Sequence, residues 1–283
     1  MSGVQHGPPI GEAHVWAVRE PPPGPGREAV VQRCLALLTP PEVRRYERVV
    51  PPQQVLHACA HAALRAVTAA YTGLRAPRVA FTTGEFGKPY VASDPGLRVS
   101  LAHTAGMALV AVTRDGPVGV DVERITALHD PTGMRRQVLS PWEAARWPES
   151  AEDNAQSGLF THWTCKEAVL KAIGSGLAGD LTAIQVAPGA RRSGPVPVHA
   201  LPAAAATRTW ALQLIDLGPE FRAAVAVADG GSLVRAFHMA PGSIPSVPPA
   251  LPTPVPPVLP EVPGLPDVPG RQTVPDRGGP SCS

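Results

Sequence analysis

The sequence lacks most of the signals that assign a chain to a broad class. Its four cysteines form no CxxC pair, which excludes a zinc ribbon and a thioredoxin-like motif and favours reduced thiols. No apolar run approaches the ~20 residues needed to cross a bilayer, and the N-terminus has no basic segment followed by an apolar one. The net charge of +2 gives no general case for nucleic-acid binding. We therefore expect a cytoplasmic protein that has no secretory signal and binds neither membranes nor nucleic acid.

Lysine is also scarce, with three lysines beside 22 arginines. The three are Lys88, Lys166 and Lys171. A lysine ammonium is a compact point charge on a flexible stem, whereas an arginine guanidinium is a broad planar fork. The surviving lysines are therefore candidates for positions where an arginine would not serve, although chance survival is the alternative.

Proline, in contrast, is abundant and unevenly placed. The chain has 36 prolines, and 14 of them lie in residues 241–283. Proline at this density prevents helices and central strands, so we predict a disordered, extended tail over 241–283. About 240 residues remain, which is enough for one large core or two small ones.

Strand and helix patterns alternate along those remaining residues. Strands are predicted near 14–18, 78–82, 97–101, 107–113, 117–123, 183–187, 208–215 and 221–228, and long helices over 51–71 and 158–173. This order predicts an α+β fold of two similar halves, each a small, mostly antiparallel sheet packed with helices, in one pseudo-twofold monomer. The predicted bounds are a flexible N-terminus (1–12), an N-terminal half (13–117) and a C-terminal half (118–230).

Two acidic side chains follow each other along one predicted strand. Asp121 and Glu123 are two residues apart, so they project from the same face of the strand. Neighbouring carboxylates repel each other unless a cation lies between them. Oxygen ligands alone suit Mg²⁺ or Mn²⁺ rather than zinc. The alternative is a solvated strand end with two surface acids.

Three further motifs carry residues that could act on a ligand. Glu167 and Lys171 are i,i+4 neighbours on the second long helix, and two of the three lysines lie within six residues there. Lys88 lies in a Gly-Lys-Pro turn that suits a phosphate contact, and His103 ends a strand. An ordinary amphipathic helix, a plain turn and a loop contact are the alternatives. His57 and His61 are also i,i+4 neighbours, but without the Glu of a zinc-binding HExxH motif we predict no zinc site.

Taken in this order, the motifs resemble those of the 4′-phosphopantetheinyl transferase superfamily, in its larger, surfactin-synthetase-activating type. The resemblance rests on GVDVE at residues 119–123 and WTCKEAVLK at residues 163–171, about forty residues apart. FGKP at residues 86–89 and AHT at residues 102–104 match upstream elements of the family. It extends from about residue 14 to residue 228 and leaves out the proline-rich segment. All three lysines fall inside the matched motifs.

The resemblance implies a reaction. Such enzymes transfer the phosphopantetheine arm of coenzyme A to a serine of an apo acyl or peptidyl carrier protein and release adenosine 3′,5′-bisphosphate. Their carriers belong to polyketide, nonribosomal peptide or fatty-acid synthesis, which links the family to secondary metabolism. Because the short members must assemble as oligomers to build the cleft that two halves provide here, we expect a monomer.

The resemblance also implies a role for each matched residue. Asp121, Glu123 and Glu167 would hold Mg²⁺, or Mn²⁺, on the pyrophosphate of coenzyme A. Glu167 would also accept the proton of the carrier serine, and Lys171 would stabilise the transition state. The residues assigned to coenzyme A binding are Lys88, Pro89, His103, Lys166, Lys171, Arg45 and Arg48.

The sequence departs from the family pattern in one region. Family members usually carry basic residues in the helix before the GKP turn, where they hold the 3′-phosphate, but residues 51–57 contain no Arg or Lys. Arg44, Arg45 and Arg48 are the nearest substitutes. Residues 134–139 (MRRQVL) combine apolar and basic side chains, so we predict that they bind the acidic helix of the carrier protein.

Two other functions fit the residues. The first is a non-catalytic scaffold on the same fold that binds carrier proteins. Against it, a chain without a reaction has no physical need to keep repelling carboxylates together. The second is an unrelated metal-dependent phosphotransferase or hydrolase. Whether Glu167 lies near Asp121 and Glu123 in a cleft between the halves discriminates between these functions.

Overall fold

The computed structural model describes residues 8–147, 152–176, 179–189, 191–203, 205–230, 233–243 and 245, with no side-chain description for 152–154. The predicted disordered tail, 241–283, lies outside the described residues except for 241–243 and 245. The first seven residues of the predicted flexible N-terminus also lie outside them. Glu12, which we had placed at the end of that flexible segment, is instead the buried first residue of a strand.

The described elements follow the predicted alternation. The helices are α1 (Arg27–Leu35), α2 (Pro40–Tyr46), α3 (Pro51–Thr72), α4 (Pro131–Val138), α5 (Pro141–Ala144) and α6 (Glu152–Ile173). The strands are β1 (Glu12–Arg19), β2 (Phe81–Thr83), β3 (Pro89–Val91), β4 (Arg98–Thr104), β5 (Met107–Thr113), β6 (Val118–Arg124), β7 (Gln185–Val186), β8 (Gly194–Pro195), β9 (Val198–Ala200), β10 (Trp210–Leu214), β11 (Phe221–Ala228) and β12 (Leu233–His238). The α+β prediction is therefore confirmed.

Two four-stranded sheets carry the same internal topology. Their strand orders are β12-β1-β5-β4 and β6-β11-β10-β8. In each, a first strand is followed by a 22-residue helix and two more strands, and the last of these lies between the other two. The two halves thus share one β-α-β-β arrangement, as the order of predicted elements suggested.

The sheets and long helices form four layers. Alternate residues of β1 and β5, such as Val18 and Val110, pack against α3. The opposite faces of these strands pack against Val120, Val225 and other residues of the second sheet. The other face of that second sheet packs against α6. Because both faces of each sheet are covered, the central strands are nearly continuous apolar runs.

A glycine sets how closely α6 approaches the second sheet. A β-carbon at Gly119 would lie 1.9 Å from the main-chain oxygen of Ala168. The absence of a side chain there allows α6 to lie directly on β6. This contact brings the acidic residues of β6 and the motif residues of α6 to the same place.

Four of the described strands, β3, β8, β9 and β12, were not predicted. β12 lies beyond the predicted C-terminal half and pairs in parallel with β1, so that Glu12 faces Leu233 and Trp16 faces Phe237. The first sheet therefore takes its edge strand from beyond residue 230.

Candidate active site

The two halves meet where β4 runs beside β6, and side-chain hydroxyls hold the strands together. Ser100 Oγ accepts a hydrogen bond from the Val120 N–H at 3.1 Å, and Thr104 Oγ1 accepts one from the Arg124 N–H at 3.3 Å. Thr104 Oγ1 also donates to Glu123 Oε2 at 3.3 Å. The seam therefore places the end of β4, with His103, beside the acidic end of β6.

Three carboxylates converge at this seam. Burial raises the pKa of Asp121 and of Glu167, and the neighbouring Asp121 charge raises that of Glu167 further. The pKa of Glu123 is raised to about 7 by burial and then by the charges of Asp121 and Glu167. Mutual repulsion of this kind requires proximity. The three acids therefore lie close enough to affect one another's pKa.

Lys171 provides a positive charge beside them. Its Nζ donates to Asp121 Oδ1 at 2.5 Å, and its side chain is 31% exposed. The other oxygen, Asp121 Oδ2, is buried and has no hydrogen-bond partner among the described residues. In the described part of the chain, no three His, Cys, Asp or Glu side chains are arranged to hold a metal ion as they stand. The orphaned oxygen and the raised pKa values nevertheless fit an additional cation at this point.

The structure gives Lys166 a different task from the predicted one. Its side chain is fully buried, and its Nζ donates to the main-chain oxygen of Val138 at 2.6 Å and to Glu143 Oε2 at 2.5 Å. Glu143 also accepts hydrogen bonds from the N–H groups of Ser140 and Val186. An ammonium enclosed in this way does not line the cleft, so the structure does not support the predicted contact of Lys166 with coenzyme A.

Lys88 is likewise engaged with the protein. Its Nζ donates to the main-chain oxygens of Val118 (3.0 Å), Lys171 (2.5 Å) and Ala172 (2.8 Å). Burial, with a smaller contribution from Arg98, lowers the pKa of Lys88 to about 8. An ammonium has three donors, and all three are used here. The structure therefore does not support the predicted phosphate contact.

A cavity of about 210 Å³ joins these elements. It is lined by Phe86, Gly87, Lys88, Pro89, Ser100, Leu101, Glu167, Lys171, Gly174 and Gly176. The FGKP turn of the first half and the motif helix of the second half therefore line the same cleft.

A cluster of basic side chains, which sequence reasoning missed, lies on the first half. The rings of His57 and His61 on α3 are 4.2 Å apart. Burial lowers the pKa of both, that of His61 to about 3, and the charges of His103 and Arg45 lower both further while Glu42 opposes the shift. The i,i+4 spacing had been considered only for zinc. The position of His103, 42 residues from His61, comes from the tertiary fold.

The other predicted basic residues lie at the edge of this cluster. Arg45, on α2, is exposed and close enough to act on both histidines. Arg48 is exposed in the turn after α2, and none of the described contacts joins it to the cluster. The pKa of His103 is lowered by desolvation and then by the Lys171 charge, which connects the cluster to the carboxylates.

Part of the sequence also matches the model of a known protein family. Residues 117–226, which span Asp121, Glu123, Glu167 and Lys171, match the family model described as the 4′-phosphopantetheinyl transferase superfamily. Over these residues the chain is similar to this superfamily. The match begins at the first residues of β6 and ends inside β11, so it covers the acidic half of the site.

Similar proteins carry transferase names. The 4′-phosphopantetheinyl transferase HetI of Nostoc sp. is 29% identical over 233 residues, which are 80% of this chain and 92% of that protein. An L-aminoadipate-semialdehyde dehydrogenase-phosphopantetheinyl transferase of Eremothecium gossypii is 34% identical over 125 residues, 40% of this chain and 43% of its own length. The 4′-phosphopantetheinyl transferase gsp of Aneurinibacillus migulanus is 33% identical over 100 residues, 35% of this chain and 40% of its own.

None of the helices among the described residues combines the length and the apolar character that a bilayer crossing needs.

Proposed function

We propose that this chain transfers the 4′-phosphopantetheine arm of coenzyme A to a serine of an apo acyl or peptidyl carrier protein. The observation that carries the proposal is that Glu167 and Lys171, which is paired with Asp121, line one cleft together with the FGKP turn. Cytoplasmic carriers of polyketide, nonribosomal peptide or fatty-acid synthesis are the substrates we infer.

The carboxylates of the second half would hold the metal ion. Asp121, Glu123 and Glu167 offer oxygen ligands only, which suits Mg²⁺, or Mn²⁺. The unpartnered Asp121 Oδ2 is the atom that most needs such a partner. When bound, the ion would neutralise charge on the pyrophosphate as the phosphoryl group transfers.

The protein's own groups would move the proton and stabilise the charge. The serine Oγ forms a new bond to phosphorus, the pyrophosphate P–O bond breaks, and the serine proton passes to the Glu167 carboxylate. A raised pKa makes Glu167 a better proton acceptor than an ordinary glutamate. The Lys171 ammonium stabilises the charge that develops on the leaving adenosine 3′,5′-bisphosphate.

The basic cluster of the first half would bind the nucleotide end of coenzyme A. Arg45, His57, His61 and His103 replace the Arg and Lys residues that family members carry before the GKP turn. The histidines have lowered pKa values in the free protein. The negative charge of a bound phosphate would favour their protonation.

The carrier protein would dock on α4. Arg135 and Arg136 line a cleft of about 420 Å³ whose other walls include Leu139, Pro141 and Trp147. The Trp147 Nε1 donor in that wall has no partner among the described residues. Basic residues around an apolar cleft complement an acidic amphipathic helix.

The duplicated β-α-β-β arrangement supports the larger, surfactin-synthetase-activating type. One chain supplies residues of both halves to the cleft, so we infer that a monomer suffices for the reaction.

Intact-mass spectrometry tests the proposal. We would incubate apo carrier proteins with this chain, coenzyme A and Mg²⁺, with EDTA as the control. A gain of one phosphopantetheine mass that EDTA abolishes is the expected result. No gain on peptidyl, polyketide or fatty-acid carriers would contradict the proposal and favour a non-catalytic, carrier-binding scaffold.

A further inference from the structure

The turn that contains Lys88 connects the two halves of the protein at the end of α6. The side chain leaves the loop between β2 and β3 and reaches three main-chain oxygens of the second half. Two of them, on Lys171 and Ala172, belong to the last turn of α6, and the third, on Val118, begins β6. One ammonium therefore ties the helix that carries Lys171 to the strand that carries Asp121.

A lysine suits this position better than an arginine. The last four carbonyl groups of a helix have no partner within the helix, and they form the negative end of its dipole. A compact ammonium can direct three hydrogen bonds to three converging oxygens, whereas a planar guanidinium cannot. This geometry explains why Lys88 persists in a chain that otherwise uses arginine.

The surface that receives the turn is shaped for close contact. Gly174 and Gly176, just after α6, have φ values of +87° and +59°. A β-carbon on Gly176 would lie 2.7 Å from the Phe86 β-carbon, and one on Gly174 would lie 3.5 Å from Lys88 Cδ. Glycine at these positions lets the chain turn away from the helix and leaves room for the Phe86-Gly87-Lys88 turn.

We propose that Lys88 is a positioning residue that fixes the last turn of α6 and so holds the Lys171 ammonium against Asp121. The same residue, Lys171, accepts a hydrogen bond from Lys88 through its main chain and donates to Asp121 through its side chain. Lys88 acts on the reaction through Lys171, without touching phosphate. This inference rests on the proposed function for its effect on turnover, whereas its effect on α6 is independent of that function.

The first experiment compares Lys88→Met with Glu85→Met in the full chain. Glu85 is an exposed residue of the same turn, so Glu85→Met controls for the loss of a charge there. Amide hydrogen exchange at residues 172–175 should become faster in Lys88→Met and stay unchanged in Glu85→Met. Unchanged exchange in Lys88→Met would overturn the proposal whether or not the protein is active.

Kinetics then separate positioning from phosphate binding. A small displacement of a catalytic group lowers turnover by up to about 10²-fold, so kcat of Lys88→Met should fall by about this factor. The dissociation constant of coenzyme A, measured by calorimetry, should stay near the wild-type value. Weaker coenzyme A binding with normal turnover would show that Lys88 contacts the phosphate instead. If the wild-type chain transfers nothing, the proposed function fails. The exchange experiment still decides whether Lys88 fixes the last turn of α6.

A double-mutant cycle and a chemical rescue complete the test. Lys88→Met should cost no further turnover in a Lys171→Met background, because both changes remove the same ammonium from Asp121. Additive losses would contradict the proposal. In Lys88→Cys, aminoethylation restores an ammonium of lysine length and should restore both slow exchange and turnover, with treated wild-type protein as the control.

Lys88→Arg serves if Lys88→Met does not fold, because it keeps the charge. It should show faster exchange at residues 172–175 and reduced turnover. Wild-type behaviour of Lys88→Arg in both measurements would refute the specific requirement for an ammonium.

Discussion

The two halves of this protein share one topology and differ in the titratable side chains that they bring together. In each, a first strand, a 22-residue helix and two further strands build a sheet covered by that helix. The first half brings His57, His61, His103 and Arg45 together, whereas the second brings Asp121, Glu123 and Glu167 together.

This difference shows how a repeated arrangement can be specialised without changing its packing. Buried apolar residues form the layers in both halves. Residues where the two halves meet can therefore differ, and each half can take a different role in the reaction. We infer that the first half mainly holds the nucleotide and that the second carries out phosphoryl transfer. Substitutions can test this division.

The largest effect is expected at Glu167. Glu167→Gln keeps the size of the side chain but removes the base and one carboxylate ligand, so transfer should fall by about 10²–10⁴-fold or more. Steady-state assays with an apo carrier measure this, and calorimetry should show that coenzyme A still binds through the first half. The melting temperature serves as the control for folding. Near-normal turnover would refute the role of Glu167.

The next largest effect is expected at Lys166. Its substitution tests whether this residue of the second half supports packing or takes part in the chemistry. Lys166→Met leaves Glu143 charged and buried without its partner, which typically costs about 3–5 kcal/mol of unfolding free energy. Urea unfolding measures this loss. Adding Glu143→Gln removes the uncompensated charge and should recover part of it. A Lys166→Met protein of wild-type stability that binds coenzyme A poorly would instead place Lys166 in the cleft.

A smaller effect is expected on the carrier surface. The double change Arg135→Glu and Arg136→Glu reverses two charges beside the α4 cleft, so carrier affinity should fall by about tenfold or more at low salt. Coenzyme A affinity should not change, because these residues lie outside the basic cluster and the acidic site. Surface plasmon resonance with an apo carrier and calorimetry with coenzyme A give the two values. Equal loss of both affinities would contradict docking on α4.

The smallest expected effect is a pH dependence of coenzyme A affinity that the histidines of the first half would cause. His57 and His103 have pKa values below the usual 6.5 in the free protein, and a bound phosphate raises them. Between the free and the bound pKa values, binding takes up protons, so coenzyme A affinity should rise a few-fold as the pH falls from about 8 to about 6.5. Dephospho-coenzyme A should show less dependence, and His57→Gln should reduce it for coenzyme A. Identical pH profiles for the two ligands would argue against 3′-phosphate binding by the histidines.

The order of elements and the acidic site followed from the sequence for physical reasons. The period of apolar residues changes from that of strands to that of helices, which predicts the α+β alternation. Spacing paired Asp121 with Glu123 on one strand face and Glu167 with Lys171 on one helix face, whereas the prediction that the two pairs share a site came from the family resemblance.

Other features depend on tertiary contacts that local patterns do not contain. The scarcity of lysine indicated that Lys88 and Lys166 need an ammonium, but not that main-chain oxygens are their acceptors. The cluster of His57 and His61 with His103 joins distant segments. β12 is a short strand whose half-buried residues alternate weakly. Its assignment requires knowledge of the unpaired edge of β1.

The parallel pairing of β12 with β1 has a consequence for synthesis of the protein on the ribosome. β1 leaves the ribosome before residues 233–238 have been synthesised, so the edge that pairs with β12 stays uncovered until then. A β-edge left open during translation invites pairing with other nascent chains. The chain therefore completes its first sheet late, and we expect its yield in cells to depend on chaperones that shield β1 until β12 has been synthesised.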